Sequence, residues 1–230
     1  MSIITNGTSP RRRVNVCFHG VGRPRRDLEP GESRYWVSED DFLRLLDELA
    51  EDTNGVSLSV DDGNVSDVEI VLPALLDRGM RATFFVVVDR LGRPGSLTRT
   101  DVRQLVASGM TLGNHGWTHE PWTSFDDEEL EREVLEARAA LSVLTGEAVR
   151  TAALPRGQYN RAVLRAARSA GYATLFTSDR QSASADSWLQ ARFSVHSGVT
   201  PESLSRIVRD ANRLPRRVGS AMNTLRKSWS

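Results

Sequence analysis

Short runs of apolar and β-branched residues alternate along this chain with longer segments whose apolar residues recur every three or four positions. The short runs have the length of buried strands, and the longer segments have the period of amphipathic helices. Seven runs lie at Val14–Phe18, Val56–Val60, Ala82–Val88, Met110–Gly113, Val149–Leu154, Ala173–Thr177 and Arg192–Val195. Repeated strand–helix alternation favours a parallel sheet, so the pattern predicts an α/β architecture.

Residues typical of helix ends mark the boundaries of the longer segments. They are Ser38 with Asp41, Gly79, Asp126, Gly146, Asn160 and Thr200-Pro201. No internal repeat or low-complexity linker interrupts the pattern, so one domain is predicted over residues 14–210. The basic segments 1–13 and 211–230 are predicted to be flexible termini. The Gly22–Trp36 segment is predicted to be a long loop, and such loops are usually lids or disordered.

Composition narrows the class of protein. Among 230 residues, 30 Lys and Arg balance 30 Asp and Glu, so no overall field attracts nucleic acid, and no nucleic-acid partner is expected. Cys17 is the single cysteine, which excludes an intrachain disulfide. No signal peptide or membrane span is visible, so a cytoplasmic protein is expected. For the basic C-terminal segment, two alternatives stay open: a terminus that is solvated, or a segment that contacts an anionic membrane peripherally.

The polar residues that suggest chemistry all follow the ends of predicted strands. They are His19, Asp61 and Asp62, His115 and His119, Pro155-Arg156-Gly157, and Asp179. In parallel sheets and barrels, ligands bind at the carboxyl ends of the strands. Each motif alone has a simpler explanation: Asp-Gly is first a turn signal, and a lone histidine is more often a core residue. Their joint placement at one rim favours a functional site.

These residue types suit a catalytic metal centre. Two imidazoles and one carboxylate form a ligand set for Zn²⁺, Co²⁺, Ni²⁺ or Fe²⁺ that leaves a position open for water. His115 and His119 are four residues apart, so a helical turn or a tight loop can aim both rings at one point. One aspartate then completes the ligand set, while the other is available as a general base.

Four segments resemble motifs of the polysaccharide deacetylases, the NodB-homology group of carbohydrate esterase family 4. Ser59-Val60-Asp61-Asp62-Gly63 resembles the first motif, and His115-Gly-Trp-Thr-His119 resembles the histidine motif. Two further segments, Phe18-His19-Gly20 and Leu154–Asn160, are similar to segments of the subgroup that deacetylates poly-N-acetylglucosamine.

The resemblance implies a distorted (β/α)7 barrel and a hydrolase that removes an N-acetyl or other N-acyl group from an amino sugar. It assigns Asp62, His115 and His119 to a divalent metal, with Zn²⁺ the first choice. It makes Asp61 the base and His19 the acid that protonates the leaving amine.

The sequence departs from the family at Ala153, where many members carry an arginine that orients the base. Arg156 or Arg192 is the predicted replacement, and a backbone N–H near Arg156 is the predicted oxyanion donor. Asp179 is predicted to orient His19. Trp117 and Tyr159 are candidates for side chains that line the sugar-binding site, although packing in the core explains Trp117 equally well.

Two other functions stay open at this stage. One is a deformylase or deacetylase of a lipid-linked sugar or small metabolite at the inner face of the membrane. The other is a binding module that has lost activity, which the presence of ligands, base and acid together disfavours. The oligomeric state does not follow from the sequence.

Overall fold

The structure is a computed structural model that describes residues 12–51 and 55–213, with the side chains of 211–213 excluded. Its strands are β1 (Arg12–Phe18), β2 (Val56–Asp61), β3 (Ala82–Val86), β4 (Thr111–Asn114), β5 (Thr151–Ala153), β6 (Thr174–Thr177), β7 (Ala183–Ser184) and β8 (Leu189–Ser194). Its helices are α1 (Glu39–Glu51), α2 (Leu72–Asp77), α3 (Arg99–Ala107), α4 (Asp127–Glu131), α5 (Ala137–Thr145), α6 (Arg161–Ser169) and α7 (Pro201–Arg213). A π-helical turn, Asp67–Val71, precedes α2, and another, Arg132–Glu136, joins α4 to α5.

Seven parallel strands close into a barrel in the order β1-β2-β3-β4-β5-β6-β8, with β8 pairing again with β1. The β4–β5 junction is the weakest, because only Asn114 and Ala152 pair across it. The short strand β7 lies outside this ring and pairs antiparallel with the start of β1. The prediction of a distorted (β/α)7 barrel is therefore confirmed.

Two apolar layers hold the barrel and its helices together. The larger buries one face of β1, β2 and β3 against α1, α2, α3 and α7, and α1 contributes Phe42, Leu45, Leu46 and Leu49. The smaller lies between β5, β6 and the helices α4 and α6. Such continuous burial of apolar side chains is the main stabilising term of the fold. It also fixes where each strand ends, and so where the polar rim lies.

Most predicted helix boundaries agree with the structure. Ser38 Oγ accepts a hydrogen bond from Asp41 N at 3.1 Å, and Asn160 caps α6 through Val163 N at 3.0 Å. The predicted helix from Asp126 to Thr145 is present but is divided by its π-helical turn.

The pattern missed α3, β7 and the first half of β8. Helix α3 buries few apolar residues, so its periodicity is weak. The predicted run begins at Arg192, whereas β8 begins at Leu189. The difference arises because Gln190 is buried but polar, so a search for apolar runs does not include it.

The predicted flexible termini fall mainly outside the described residues. Arg12 and Arg13 differ from that prediction, because they begin β1, where Arg12 Nε donates to Ser182 Oγ at 2.9 Å. Residues 211–213 likewise belong to α7. Across residues 12–51 and 55–213, none of the helices combines the length and the apolar character that a membrane crossing needs.

Candidate metal centre

Two strand ends bring one carboxylate and two imidazoles together. Strand β2 ends at Asp61 and β4 ends at Asn114, so Asp62 and His115 each follow a strand at the same rim. Nε2 of His119 lies 3.2 Å from Asp62 Oδ1, and Nε2 of His115 lies 3.6 Å from the same oxygen. The ligand atoms of these three residues are all within 4.8 Å of one another, which suits donors to a single ion.

The backbone at this rim adopts conformations that side chains usually avoid. Asp62 has φ 82°, His119 has φ 72° and Arg156 has φ 54°, all in the left-handed region. Such conformations persist only where the surrounding structure fixes them, and they are concentrated at functional sites. The turn after β2 and the loop after β4 are therefore held in shape by their contacts.

Asp62 has the properties of a metal ligand. Its side chain is buried, and no described residue donates a well-aligned hydrogen bond to Oδ1, although His119 Nε2 is close. Burial opposes ionisation, but His119 and the other nearby histidines outweigh it and hold the pKa of Asp62 well below its usual range. An ionised, buried oxygen between two imidazole nitrogens is a fitting place for a divalent cation.

His115 is oriented by the strand scaffold. Its Nδ1 lies 2.9 Å from the Ala153 carbonyl oxygen, which can only accept a hydrogen bond. Burial lowers the pKa of His115 to about 4, so the ring is neutral at pH 7. The proton therefore sits on Nδ1, and Nε2 presents its lone pair to the side where Asp61 and Asp62 each have an oxygen 3.6 Å away.

His119 is held by a residue distant in sequence. Its Nδ1 lies 3.0 Å from Glu29 Oε2, in the Gly22–Trp36 loop. Burial opposes protonation of the ring, but the Asp62 carboxylate outweighs burial and raises the pKa of His119 to about 9. The hydrogen bond with His119 lowers the pKa of Glu29 to about 2. Glu29 also pairs with Arg90, and Arg156 Nη2 lies 3.2 Å from Glu29 Oε2.

Glu133 holds the loop that carries both histidines. Its buried carboxylate accepts from Trp117 N at 2.6 Å, from Thr118 N at 3.1 Å and from Thr118 Oγ1 at 2.7 Å. Gly116 has φ 84°, and a Cβ there would overlap Glu133 Oε2, so glycine is required on both counts. The π-helical turn between α4 and α5 thus positions the loop after β4.

Asp61, the other aspartate of the turn, is bound by an arginine. Arg192, from β8, donates from Nη1 to Asp61 Oδ1 at 2.6 Å and from Nη2 to Asp61 Oδ2 at 2.7 Å. Both side chains are about 1% exposed. Burial would raise the pKa of Asp61, but the Arg192 guanidinium outweighs it and lowers that pKa. Arg192 therefore supplies a guanidinium to Asp61 although position 153 is alanine.

His19 directly follows β1, which pairs with β2 on the side away from β3. A ring nitrogen of His19, Cys17 Sγ and an Asp61 oxygen all lie within 4.8 Å of one another. His19 Nδ1 is 3.9 Å from Cys17 Sγ, and the ring stacks on Tyr35 with centroids 4.9 Å apart. Burial raises the pKa of the Cys17 thiol well above its usual value, so Cys17 is a neutral neighbour of the imidazole.

The remaining predicted site residues lie around this centre. Arg156 is exposed at the rim and pairs with Glu29 rather than with Asp61. Tyr159 is buried and donates to Asp179 Oδ2 at 2.9 Å, and Thr177 Oγ1 donates to the same oxygen at 2.8 Å. Trp117 is partly buried. The Arg132 guanidinium carbon lies 4.8 Å from the centroid of the Trp117 ring, and the ring lines a surface pocket together with residues of α5.

Comparison with known proteins identifies relatives of this chain. The family model described as polysaccharide deacetylase matches residues 49–175, more than half of the chain. A chitooligosaccharide deacetylase of Sinorhizobium fredii is 32% identical over 137 residues, covering 59% of this chain and 62% of that protein. A peptidoglycan-N-acetylglucosamine deacetylase of Bacillus cereus is 28% identical over 158 residues, covering 68% of this chain and 67% of that protein.

The fold is shared with solved structures. The Streptococcus pyogenes deacetylase PplD, solved with acetate, superposes with a TM-score of 0.76 at 18% identity, over 86% of this chain and 99% of that one. Against three curated relatives the match spans only 47% to 62% of their length. The range matched by the family model covers more than half of the chain and includes the Asp61-Asp62-Gly63 turn, His115 and His119. The chain therefore belongs to the polysaccharide deacetylase family.

Proposed function

We propose that this protein is a metal-dependent hydrolase that removes the N-acetyl group from an acetylated amino sugar. The observation that carries the proposal is the separation of two adjacent carboxylates into different surroundings. Both carboxylates have an oxygen 3.6 Å from His115 Nε2, but Asp62 alone also lies 3.2 Å from His119 Nε2, whereas Asp61 is bound by Arg192 and lies near His19. A binding module has no need for an ionised base beside its metal ligands. The relatives named for chitooligosaccharides and for peptidoglycan N-acetylglucosamine support an amino-sugar substrate.

Asp62, His115 and His119 would hold the metal, and their two nitrogens and one oxygen suit Zn²⁺ best. When bound, the ion supplies Lewis-acid polarisation of the amide carbonyl and a lowered pKa for water. The chain prepares the ligands for this role. Asp62 is kept ionised, and His115 is kept neutral with its Nε2 lone pair directed at the site.

Asp61 is the proposed base. Both of its oxygens accept from Arg192, which fixes the plane of the carboxylate and keeps it ionised, while each oxygen retains a lone pair for a water proton. The pair is also costly to disturb, because loss of one partner leaves a buried charge unpaired.

His19 is the proposed acid that donates a ring proton to the leaving nitrogen. It is close enough to Asp61 for both groups to reach one bound amide from different directions. The stacked Tyr35 ring limits the orientations that the imidazole can take. The backbone N–H near Arg156 is the proposed donor to the developing oxyanion, because that residue turns the chain at the same rim.

The proposal is tested with the Asp61→Asn variant. Metal content is measured together with acetate release from N-acetylated chito-oligosaccharides and from a lipid-linked N-acetylglucosamine. We expect the variant to bind metal like the wild-type protein and to release acetate about 10²–10⁴-fold more slowly, the usual contribution of a general base. Asp62→Asn should instead lose metal and activity together.

Two results would contradict the proposal. One is an Asp61→Asn variant as active as the wild-type protein, and the other is a wild-type protein that neither binds metal nor releases acetate. The matched control is Glu120→Gln, an exposed carboxylate at the same rim that contacts neither aspartate, and its activity should be unchanged.

A further inference from the structure

The Gly22–Trp36 loop is closed at its base and pinned to the rim. Gly22 N donates to Val37 O at 2.8 Å, and Val37 N donates to Gly20 O at 3.0 Å, so the two ends of the loop are joined. A Cβ at Gly20 would overlap the Trp36 ring, which shows how closely the end of the loop packs beside His19. A loop closed in this way can hold a side chain in a defined place.

A network inside the loop fixes the position of Glu29. Arg26 Nε donates to Asn64 Oδ1 at 3.0 Å, which ties the loop to the turn that carries Asp62. The buried Glu32 carboxylate pairs with Arg26 and also accepts from Glu29 N at 2.8 Å. The backbone of Glu29 is thus held from the side of the aspartate turn. Its own side chain then reaches across the rim to His119.

The contacts of His119 make Glu29 the group that selects its tautomer. Arg90 Nη2 lies 3.1 Å from His119 Nδ1 and Glu29 Oε2 lies 3.0 Å from the same atom. Arginine can only donate and an ionised carboxylate can only accept, so the two would favour opposite proton positions. A ring that gives its Nε2 lone pair to a metal must keep its proton on Nδ1, and Glu29 is the acceptor for that proton.

We propose that Glu29 is a positioning residue that orients His119 for metal binding, from a loop outside every recognised motif of the chain. This inference rests on the proposed function, since it assigns a role within the same metal site. It resembles the carboxylate–histidine–metal arrangement seen at many metal centres, in which loss of the outer partner weakens binding. The loop Gly22–Trp36 is accordingly part of the metal site.

The test compares the zinc affinity of wild-type, Glu29→Ala and Glu29→Gln proteins by competition with a chromophoric chelator. We expect about 10- to 100-fold weaker binding for Glu29→Ala. The glutamine variant should lose less, because its amide oxygen can still accept from Nδ1. In zinc-loaded protein, ¹⁵N–¹H spectra should show a slowly exchanging His119 Nδ1–H that is lost in the alanine variant.

Two controls separate positioning from other effects. Glu120→Gln removes a neighbouring rim charge without touching His119, and its zinc affinity should be unchanged. The Glu29→Ala, Arg90→Met double variant removes the positive charge that loss of Glu29 would leave beside His119, and the methionine cannot accept a hydrogen bond in place of Glu29. If the double variant regains wild-type affinity, the effect of Glu29 is charge compensation and the positioning role is overturned.

The failure of this inference differs from failure of the proposed function. If the wild-type protein binds zinc and Glu29→Ala binds it equally well, the role of Glu29 is wrong while the metal centre stands. If the wild-type protein binds no zinc, both are wrong. Circular dichroism of the metal-free variants shows whether each one is folded. If the alanine variant is not, Glu29→Met, which keeps the length of the side chain but cannot accept a hydrogen bond, takes its place, and wild-type zinc affinity in that variant would overturn the role of Glu29.

Discussion

The two sides of the proposed metal centre are built from different parts of the molecule. On the strand side, His115 is held by the Ala153 carbonyl and Asp61 by Arg192, so every partner comes from a barrel strand or the residue next to one. On the loop side, His119 is held by Glu29, 90 positions away in sequence. Glu29 belongs to a long loop without regular structure beyond a short 3₁₀ turn.

Because of this difference, substitutions on the two sides are expected to affect different properties of the protein. Strand-borne groups are fixed by the same packing that closes the barrel, so they can be disturbed only at a cost to global stability. A loop can open locally at a smaller cost, because fewer buried apolar contacts hold it. Changes on the strand side should therefore affect folding and the base, whereas changes on the loop side should affect metal affinity.

The largest expected effect comes from breaking the strand side with Arg192→Met. The variant leaves the Asp61 carboxylate buried without its cation, and such a loss destabilises proteins by about 3–5 kcal/mol. Urea denaturation of the metal-free protein measures the change in the free energy of unfolding. Since Asp61 also loses its orienting partner, acetate release should fall as well.

Arg156→Gln is the matched control, because both arginines were candidates for the missing guanidinium. Arg156 is exposed, and its ion pairs among the described residues are with the rim carboxylates of Glu29 and Glu120, so its loss should change stability by no more than about 0.5 kcal/mol. Equal stability of the two variants would contradict the division between the strand side and the loop side.

Sequence reasoning reached the barrel and the rim because both depend on local patterns. Strand length, helix caps and the spacing of Asp61, Asp62, His115 and His119 are visible within short windows of the chain. In a parallel sheet, the carboxyl ends of all strands lie at one edge, so the polar residues that follow the strands are expected to lie close together in one site. Arg192 was a candidate on position alone, and its two contacts with Asp61 appear only in the folded chain.

Glu29, Arg90 and Glu133 had no comparable signal. Each is one charged residue among many, and each acquires its role from a partner far away in sequence or on another element. Glu133 lies on a helix at a position whose burial the helical period did not single out. Contacts between residues distant in sequence form only when the chain is folded, so the periodicity and spacing of residues in the sequence do not predict them.

Glu133→Gln tests whether the loop after β4 has a support separate from Glu29. The glutamine has one acceptor oxygen, so its NH₂ group faces backbone donors at Trp117 or Thr118 and leaves them unpaired. We expect a loss of about 1.5–3 kcal/mol, the range for hydrogen bonds to charged groups, together with weaker zinc binding. Glu136→Gln, an exposed change in the same π-helical turn, is the control. Wild-type zinc affinity in Glu133→Gln would show that Glu29 alone suffices to place His119.

The two histidines also differ in how their charge depends on pH. In the metal-free protein, burial keeps His115 neutral above pH about 4, whereas Asp62 keeps His119 protonated up to about pH 9. Because the folded pKa of His119 is raised above its ordinary value of about 6.5, its contribution to the stability of the metal-free protein is complete below that value and disappears as the pH rises through 9.

Metal binding reverses this preference, since the ion requires the Nε2 lone pair of His119. One proton should therefore leave on binding at pH 7, and zinc affinity should rise about tenfold per pH unit between pH 6.5 and 9. Calorimetry in buffers of different ionisation enthalpy counts the released proton. Release of two protons would mean that a second group, either His115 or a water on the ion, also loses a proton, and repeating the count with a His115→Gln variant would separate these sources. Release of none would mean that Asp62 does not hold His119 in its charged form, which would remove the electrostatic difference between the two sides.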